Sequence, residues 1–235
     1  MTLAKKIKAE LRALASPERA ESMKRFFKTA KGEYGEGDRF HGVSVPQQRN
    51  IAKIFMESAD ADTIKELIQS PYHEERLTAI FLLVNKFKKE QKKGNGKVWI
   101  DLYLEYRHQV NNWDLVDSSA HLILGKWLED KNRSILFKLA AEKSLWSNRI
   151  AIIATLHFIR NNDFKDIIHL AEKMLSHPHD LIHKATGWML REAWQKHPTP
   201  IEAFLNKFKN NMPRTMLRYA IEKMPEKTRK AMLTK

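Results

Sequence analysis

The chain has 235 residues, 43% hydrophobic and 30% charged, enough to bury a core and too apolar for a disordered polymer. Its 42 Lys and Arg outnumber 28 Asp and Glu, a formal net charge of +14, which points to an acidic partner: nucleic acid first, an anionic membrane surface second, a merely solubilising surface as the plain alternative. It contains no cysteine, which excludes disulfides, Cys-ligated zinc, iron–sulfur clusters and a thiol nucleophile, and fits a reducing cytosol.

Helical periodicity runs through nearly the whole chain. Leu3, Ile7, Leu11 and Leu14 form one stripe of an amphipathic helix rather than the apolar core of a signal peptide. Ser16-Pro17-Glu18 reads as a capped helix start. Phe26 and Phe27 lie between Arg25 and Lys28, and adjacent aromatics on a helix point different ways, so one is expected in the core and the other on the surface. Gly32, Gly35, Gly37 and Gly42 then cluster in a loop that follows a helix, not a strand, and so fails the context test for a phosphate cradle. Ser70-Pro71 reads as another capped start.

Apolar residues recur at three and four over 73–88, 97–106, 115–128, 149–159 and 181–194, predicting five further helices. Each of the eight prolines falls near a plausible helix start. Gly125 and Gly187 interrupt helical patterns, which implies close packing or close approach of a ligand. No stretch alternates long enough for a half-buried strand, and none approaches the ~20 apolar residues of a membrane span.

Four helix openings align: Tyr72-His73-Glu74-Glu75-Arg76, Trp113-Asp114-Leu115-Val116-Asp117, Leu145-Trp146-Ser147-Asn148-Arg149 and Asp180-Leu181-Ile182-His183-Lys184. Their last residues are 41, 32 and 35 apart, the scale of two-helix solenoid repeats. The expected architecture is therefore all-α, a right-handed superhelical solenoid of HEAT-like helix pairs, one domain over residues 1–235, with a concave basic groove. Arg76, Asp117, Arg149 and Lys184 would occupy equivalent places on it. Three cations suit a phosphate backbone. The acid is the exception, kept ionised by its neighbours, and it shares a helix face with Trp113. The plain alternative is a salt bridge from Asp117 to Arg149, with Trp113 a packing residue.

Trp188 lies one turn after Lys184 and follows Gly187, which would leave the local backbone uncovered. It is expected either to stack on bases or to pack in the core. Trp99, Trp127, Trp146 and Trp194 read as packing residues. His177, His179 and His183 are close in sequence, but there is no HExxH and no third ligand set, so no metal site is expected. Arg191, Arg214 and Arg218 are further phosphate-contact candidates by charge and helix position alone.

Four runs are distinctive together: FFKTAKGEYGEGDRFHGVSVP at 26–46, NNWDLVDS at 111–118, WSNRIA at 146–151 and KATGWMLRE at 184–192. In these, and in their order, the chain resembles the bacterial AlkD-type alkylpurine DNA glycosylases, a HEAT-like repeat family. The resemblance implies a catalytic carboxylate at Asp117, groove tryptophans at Trp113 and Trp188, a groove arginine at Arg149, and at Phe26 an aromatic that is tyrosine in some members. It implies hydrolysis of the N-glycosidic bond of cationic alkylated purines, such as 3-methyladenine and 7-methylguanine, in double-stranded DNA. The products would be free base and an abasic site, with no cofactor, from a monomer in the bacterial cytoplasm. Two other readings stand beside it: a non-catalytic DNA-binding protein that senses damage, and a helical scaffold for acidic proteins.

Overall fold

The structure, a computed structural model, describes residues 1–234. Among them it is all-helical, apart from one isolated backbone bridge between Arg39 and Tyr72. The chain packs as two compact units, one from Met1 to Ser119 and one from Ala120 onward.

The first unit contains α1 (Leu3–Ala13), α2 (Pro17–Phe26), α3 (Val45–Phe55), α4 (Ala61–Ile68), α5 (His73–Gln91), α6 (Lys97–Glu105), a 3₁₀ turn at Arg107–Gln109 and α7 (Trp113–Asp117). The apolar stripe of α1 holds in its middle, where Ile7 and Leu11 are fully buried, each contributing roughly 1.5–3 kcal/mol. Leu14, past the end of α1, turns out to 38% exposure. Ser16 caps α2 by accepting from the Arg19 amide at 3.3 Å, with Pro17 in the first turn. Ser70-Pro71 does not cap a helix. The next helix starts at His73, and Ser70 Oγ instead accepts from the Tyr72 amide and donates to buried Glu75 at 2.6 Å. The central helix α5 packs against α1, α3, α4, α6 and α7.

The second unit contains a π-helical turn at His121–Gly125, then α8 (Ser134–Ala140), α9 (Leu145–Ala154), α10 (Leu156–Arg160), α11 (Lys165–Lys173), a 3₁₀ turn at Met174–Ser176, α12 (Asp180–Lys196), α13 (Pro198–Phe208), α14 (Arg214–Ala220) and α15 (Glu226–Leu233). Its centre is α12, which packs on α9, α10, α11, α13 and α14.

The predicted single helix over 115–128 is broken: α7 stops at Asp117 and the chain tightens again only at His121. The π turn is closed by the Gly125 amide donating to the Ala120 carbonyl at 2.9 Å. A Cβ at Gly125 would lie 2.4 Å from the Ala154 carbonyl oxygen, so only glycine allows this approach. Gly187 is likewise a packing glycine, since a Cβ there would sit 2.5 Å from the Met216 carbonyl oxygen. The backbone beside Trp188 is thus covered by α14 rather than open to a ligand. Among the described residues no helix is long and apolar enough to cross a membrane.

Candidate active site

In the first unit the site begins with aromatic packing. Phe27 is buried and Phe26, next to it, is 62% exposed, the division expected for neighbours on a helix. The rings of Phe40 and Phe27 stack at 5.4 Å, and those of Phe27 and Trp113 at 5.5 Å. Phe26 meets this stack edge-on, 5.0 Å from Phe27 and 5.7 Å from Trp113. Such pairs are worth ~0.5–1.5 kcal/mol each beyond their buried area. They fix the Trp113 ring while leaving it half-buried.

Trp113 opens α7 and Asp117 ends it. The helix is short but firmly seated. Asn112 Oδ1 accepts from the Trp113 amide at 2.8 Å, and Asp114 Oδ1 from the Leu115 amide at 2.9 Å. The far oxygen of Asp114 meets His73 Nε2 at 2.8 Å, while His73 Nδ1 meets Asp38 Oδ2 at 3.0 Å. Arg76 Nη2 donates to the other oxygen of Asp38 at 2.6 Å. His73 is fully buried against Phe27 and Phe40, with ring centroids 4.6 and 5.1 Å away.

Burial alone would drive this imidazole neutral. The charge of Asp114 and the hydrogen bonds to both carboxylates outweigh it, against the opposing charge of Arg76, and its pKa is pushed up to about 9. For Asp38, burial raises the carboxyl pKa, but His73 and Arg76 more than reverse this and hold it below the usual range. The result is a closed ion network that ties α5 and the glycine-rich loop to the start of α7. Asp117 itself is half-buried at the other end of α7. Just beneath it in sequence, Ser119 Oγ donates to the Leu115 carbonyl at 2.7 Å and pairs with the buried Tyr103 hydroxyl at 3.0 Å. The phenol's pKa is raised by burial, and the charge of Asp117 adds to the rise.

The glycine-rich loop does hold an anion, but an internal one. The amides of His41, Gly42 and Val43 all donate to buried Glu74, the shortest at 2.7 Å. Gly42 takes a left-handed φ of 82°, and a Cβ there would lie 2.1 Å from the Ser16 carbonyl oxygen. Glycine is therefore required to seat α2 against this loop.

The structure corrects one expected DNA contact in this unit. Arg76 is 2% exposed, and its guanidinium is committed to Asp38 and to the Ser70 carbonyl at 2.9 Å. It is an internal cation that neutralises a buried acid.

In the second unit Asp117's sequence counterparts, Arg149 and Lys184, are each the fifth residue of their helix, as Asp117 is of α7. Arg149 is buried at 5% exposure, with Nη1 donating to the Leu181 carbonyl at 2.7 Å, so it ties α9 to the first turn of α12. Lys184 pairs with Asp180 at 2.8 Å, both side chains well exposed. Trp188 is half-buried and donates from Nε1 to Glu192 at 3.0 Å. Arg191 is corrected as a phosphate contact: its side chain is only 17% exposed and is neutralised by Glu222 and Glu192. Arg214 and Arg218 are both exposed, Arg214 reaching the Leu233 carbonyl at 3.3 Å.

The three histidines at the start of α12 are used in local hydrogen bonds. His177 Nδ1 accepts from the His179 amide, and His179 Nδ1 from the Leu181 amide, both at 3.1 Å, while His183 Nε2 donates to the His177 carbonyl at 2.6 Å. Burial lowers the pKa of both His177 and His179.

Sequence reasoning passed over Asp38, Phe27, Phe40, His73 and Asp114 as a unit. His73 and Asp114 were visible only as members of two helix openings. Nothing in their spacing, 41 residues apart, announces a shared proton.

The fold is all-helical among the described residues, and one short helix carries Trp113 at its start and Asp117 at its end in a strongly basic chain. A family model described as DNA alkylation repair enzyme matches residues 7–224, and the chain belongs to that family. It shares its fold with a solved structure described as a predicted DNA alkylation repair enzyme from Enterococcus faecalis, at 17% identity and a TM-score of 0.70, over 90% of this chain and 97% of that one. No curated protein matches.

Proposed function

We propose that this DNA alkylation repair protein is a monofunctional glycosylase that hydrolyses the N-glycosidic bond of cationic alkylated purines in duplex DNA. The observation that carries the reading is α7, a five-residue helix that presents Trp113 at its start and Asp117 at its end while buried ion pairs and an aromatic stack hold it in place.

Glycoside hydrolysis usually needs two carboxyl groups, one as acid for the leaving group and one as base or nucleophile. A purine alkylated at N3 or N7 already carries positive charge and departs without a general acid. One carboxylate then suffices. Asp117 would stabilise the oxocarbenium-like deoxyribose and orient the attacking water. Trp113 and the exposed ring of Phe26 offer apolar faces to the sugar or base. Phe26 supplies stacking without the hydrogen bond that a tyrosine would add. Trp188, Lys184, Arg214 and Arg218 would contribute contacts from the second unit, and Arg149, buried against the Leu181 carbonyl, would act by holding α9 to α12. The proposed working form is a monomer in the bacterial cytoplasm.

The test is base release from methylated duplex DNA, with the freed purines separated by chromatography. Release of 3-methyladenine or 7-methylguanine is expected. No release, with duplex still bound, would make this a damage-binding protein. Duplex affinity should also fall steeply between ~50 and ~200 mM salt, because each phosphate contact releases condensed counterions. Lys184→Ala should reduce the magnitude of that log–log slope by roughly one unit. A flat salt response would remove the phosphate-contact reading.

A further inference from the structure

The far end of α5, wholly within the first unit, carries a run of lysines that the site at its N-terminal end does not use. From Asn85 to Lys97 the sequence holds six lysines and one acid, Glu90. A hollow of about 430 Å³ lies there, lined by Asn85, Lys88, Lys89, Lys92 and Lys93, and by Met56 just past the end of α3. We propose that this end of α5 binds the phosphate backbone of a second DNA segment while α7 engages the first, so that the protein passes directly from one segment to another. The assignment rests on the reading above only for DNA contact at α7.

Two carboxylates reach these lysines without balancing them. Glu57 pairs with Lys89, and Glu90 with Lys93 at 2.9 Å. The hydrogen bond from Lys89 holds the Glu57 carboxyl below its usual range, and the charges of Lys89, Lys86 and Lys93 add to this. Lys88 and Lys92 are exposed and have no ion-pair partner among the described residues.

A helix end accounts for part of this charge. Lys88 and Lys89 lie in the last turn of α5, where cations complement the negative end of the dipole. Lys92 and Lys93 exceed that need. They stand four residues after Lys88 and Lys89, the spacing at which like charges repel. A polyanion laid across the four relieves the repulsion.

The chemistry selects a phosphate backbone. Lysine meets phosphate as a point charge on a flexible stem and reads no bases, as a transient second contact requires. The lining holds no aromatic side chain and no leucine, the residues a membrane-surface site would bury among lipids.

Geometry makes this a separate site. At a rise of ~1.5 Å per residue, Lys88 and Lys92 lie roughly 22 and 28 Å along α5 from His73. Between them the helix is buried at every position from His73 to Leu83 and again at Phe87. The body of the unit therefore separates the lysines from the start of α7.

The test follows loss of a labelled duplex from the full chain by stopped-flow fluorescence, with unlabelled duplex added at rising concentration. Exchange through solution gives a rate that levels off at the dissociation rate, whereas direct transfer makes it climb with competitor. At ~50 mM salt the rate is expected to climb in the wild type, and the slope to fall at least about tenfold in Lys88→Glu/Lys92→Glu. Affinity for the first duplex should stay within about twofold. Lys88→Gln/Lys92→Gln, which removes the charges without reversing them, should lie between. Lys138→Glu/Lys143→Glu, at exposed positions in and just after α8, makes the same change in net charge and should transfer as the wild type does. A flat rate in the wild type, a slope unchanged in Lys88→Glu/Lys92→Glu, or an equal loss in the α8 control would overturn the proposal. So would a weakening of the first duplex by about tenfold in Lys88→Glu/Lys92→Glu, which would merge the lysines with the α7 site. Phosphatidylserine vesicles that bind the wild type and not this variant, with a flat transfer rate, would make the surface a membrane contact instead. A wild type that transfers between duplexes but releases no base would refute the glycosylase reading and leave this site standing.

Discussion

Asp117→Asn should reduce release of methylated purines by about 10²–10⁴-fold, the range for losing a positioned base or an electrostatic stabiliser, while duplex affinity stays unchanged or tightens. Asparagine keeps the size and shape of the side chain and replaces its charge, with one acceptor oxygen, by a neutral amide. A negative charge next to phosphates opposes binding, so its removal cannot weaken the ground-state complex by electrostatics. The same helix provides its own control. Asp114 has both oxygens committed, to His73 and to the Leu115 amide, and so belongs to the fold. Asp114→Asn should lower thermal stability, with loss of base release following from a poorly seated α7. The two variants therefore separate in a pair of measurements, melting temperature and single-turnover base release. If Asp117→Asn melts early and loses duplex affinity as Asp114→Asn is expected to lose stability, then Asp117 is a structural ion-pair partner and the catalytic assignment fails.

The largest effect on stability is expected from pH and lies in His73. Its ordinary pKa of 6.5 is raised to about 9 in the folded chain by Asp114 and Asp38, against burial and Arg76. A group whose pKa is raised on folding stabilises fully below its unfolded value and loses that stabilisation as pH rises through the folded one. Stability should accordingly decline from pH 6.5 to about 9, by up to on the order of 3 kcal/mol. His177 and His179 act in the opposite sense. Their lowered pKa values favour the neutral ring, so their contribution is present above pH 6.5 and is lost as pH falls. Thermal unfolding followed from pH 5 to 9.5 should thus pass through a maximum near neutrality. In His73→Gln the alkaline decline should disappear, on a protein less stable throughout, because two buried carboxylates lose their shared cation. An alkaline limb that survives in His73→Gln would place the titration elsewhere.

The network also explains why so short a helix can carry a site. Five residues make too few backbone bonds to be stable alone. Here the Asn112 cap, the pairing of Asp114 with His73 and the stack of Trp113 on Phe27 supply the fixing. The arrangement costs a buried His and Asp38 their hydration, and the cost is offset because each charge meets an opposite one.

Local signals in the chain were enough for the helices of α1, α2, α5, α6 and α12, because period, caps and prolines act over a few residues. They also marked Gly125 and Gly187 as places of close approach, and divided Phe26 from Phe27 by helix geometry alone. The distinctive runs were enough to indicate the family, since they lie in order along most of the chain. Other features were decided only by folding. Continuous apolar periodicity over 115–128 gave no warning that the helix breaks after Asp117 or that Gly125 packs on Ala154, far off in sequence. Arg76 carried the same charge and register as Lys184, yet one is buried against Asp38 and the other exposed. Charge is written in the sequence; burial depends on which acid the tertiary structure brings within 3 Å. The His73 network is of the same kind, made of residues from separate elements whose meeting no local pattern encodes.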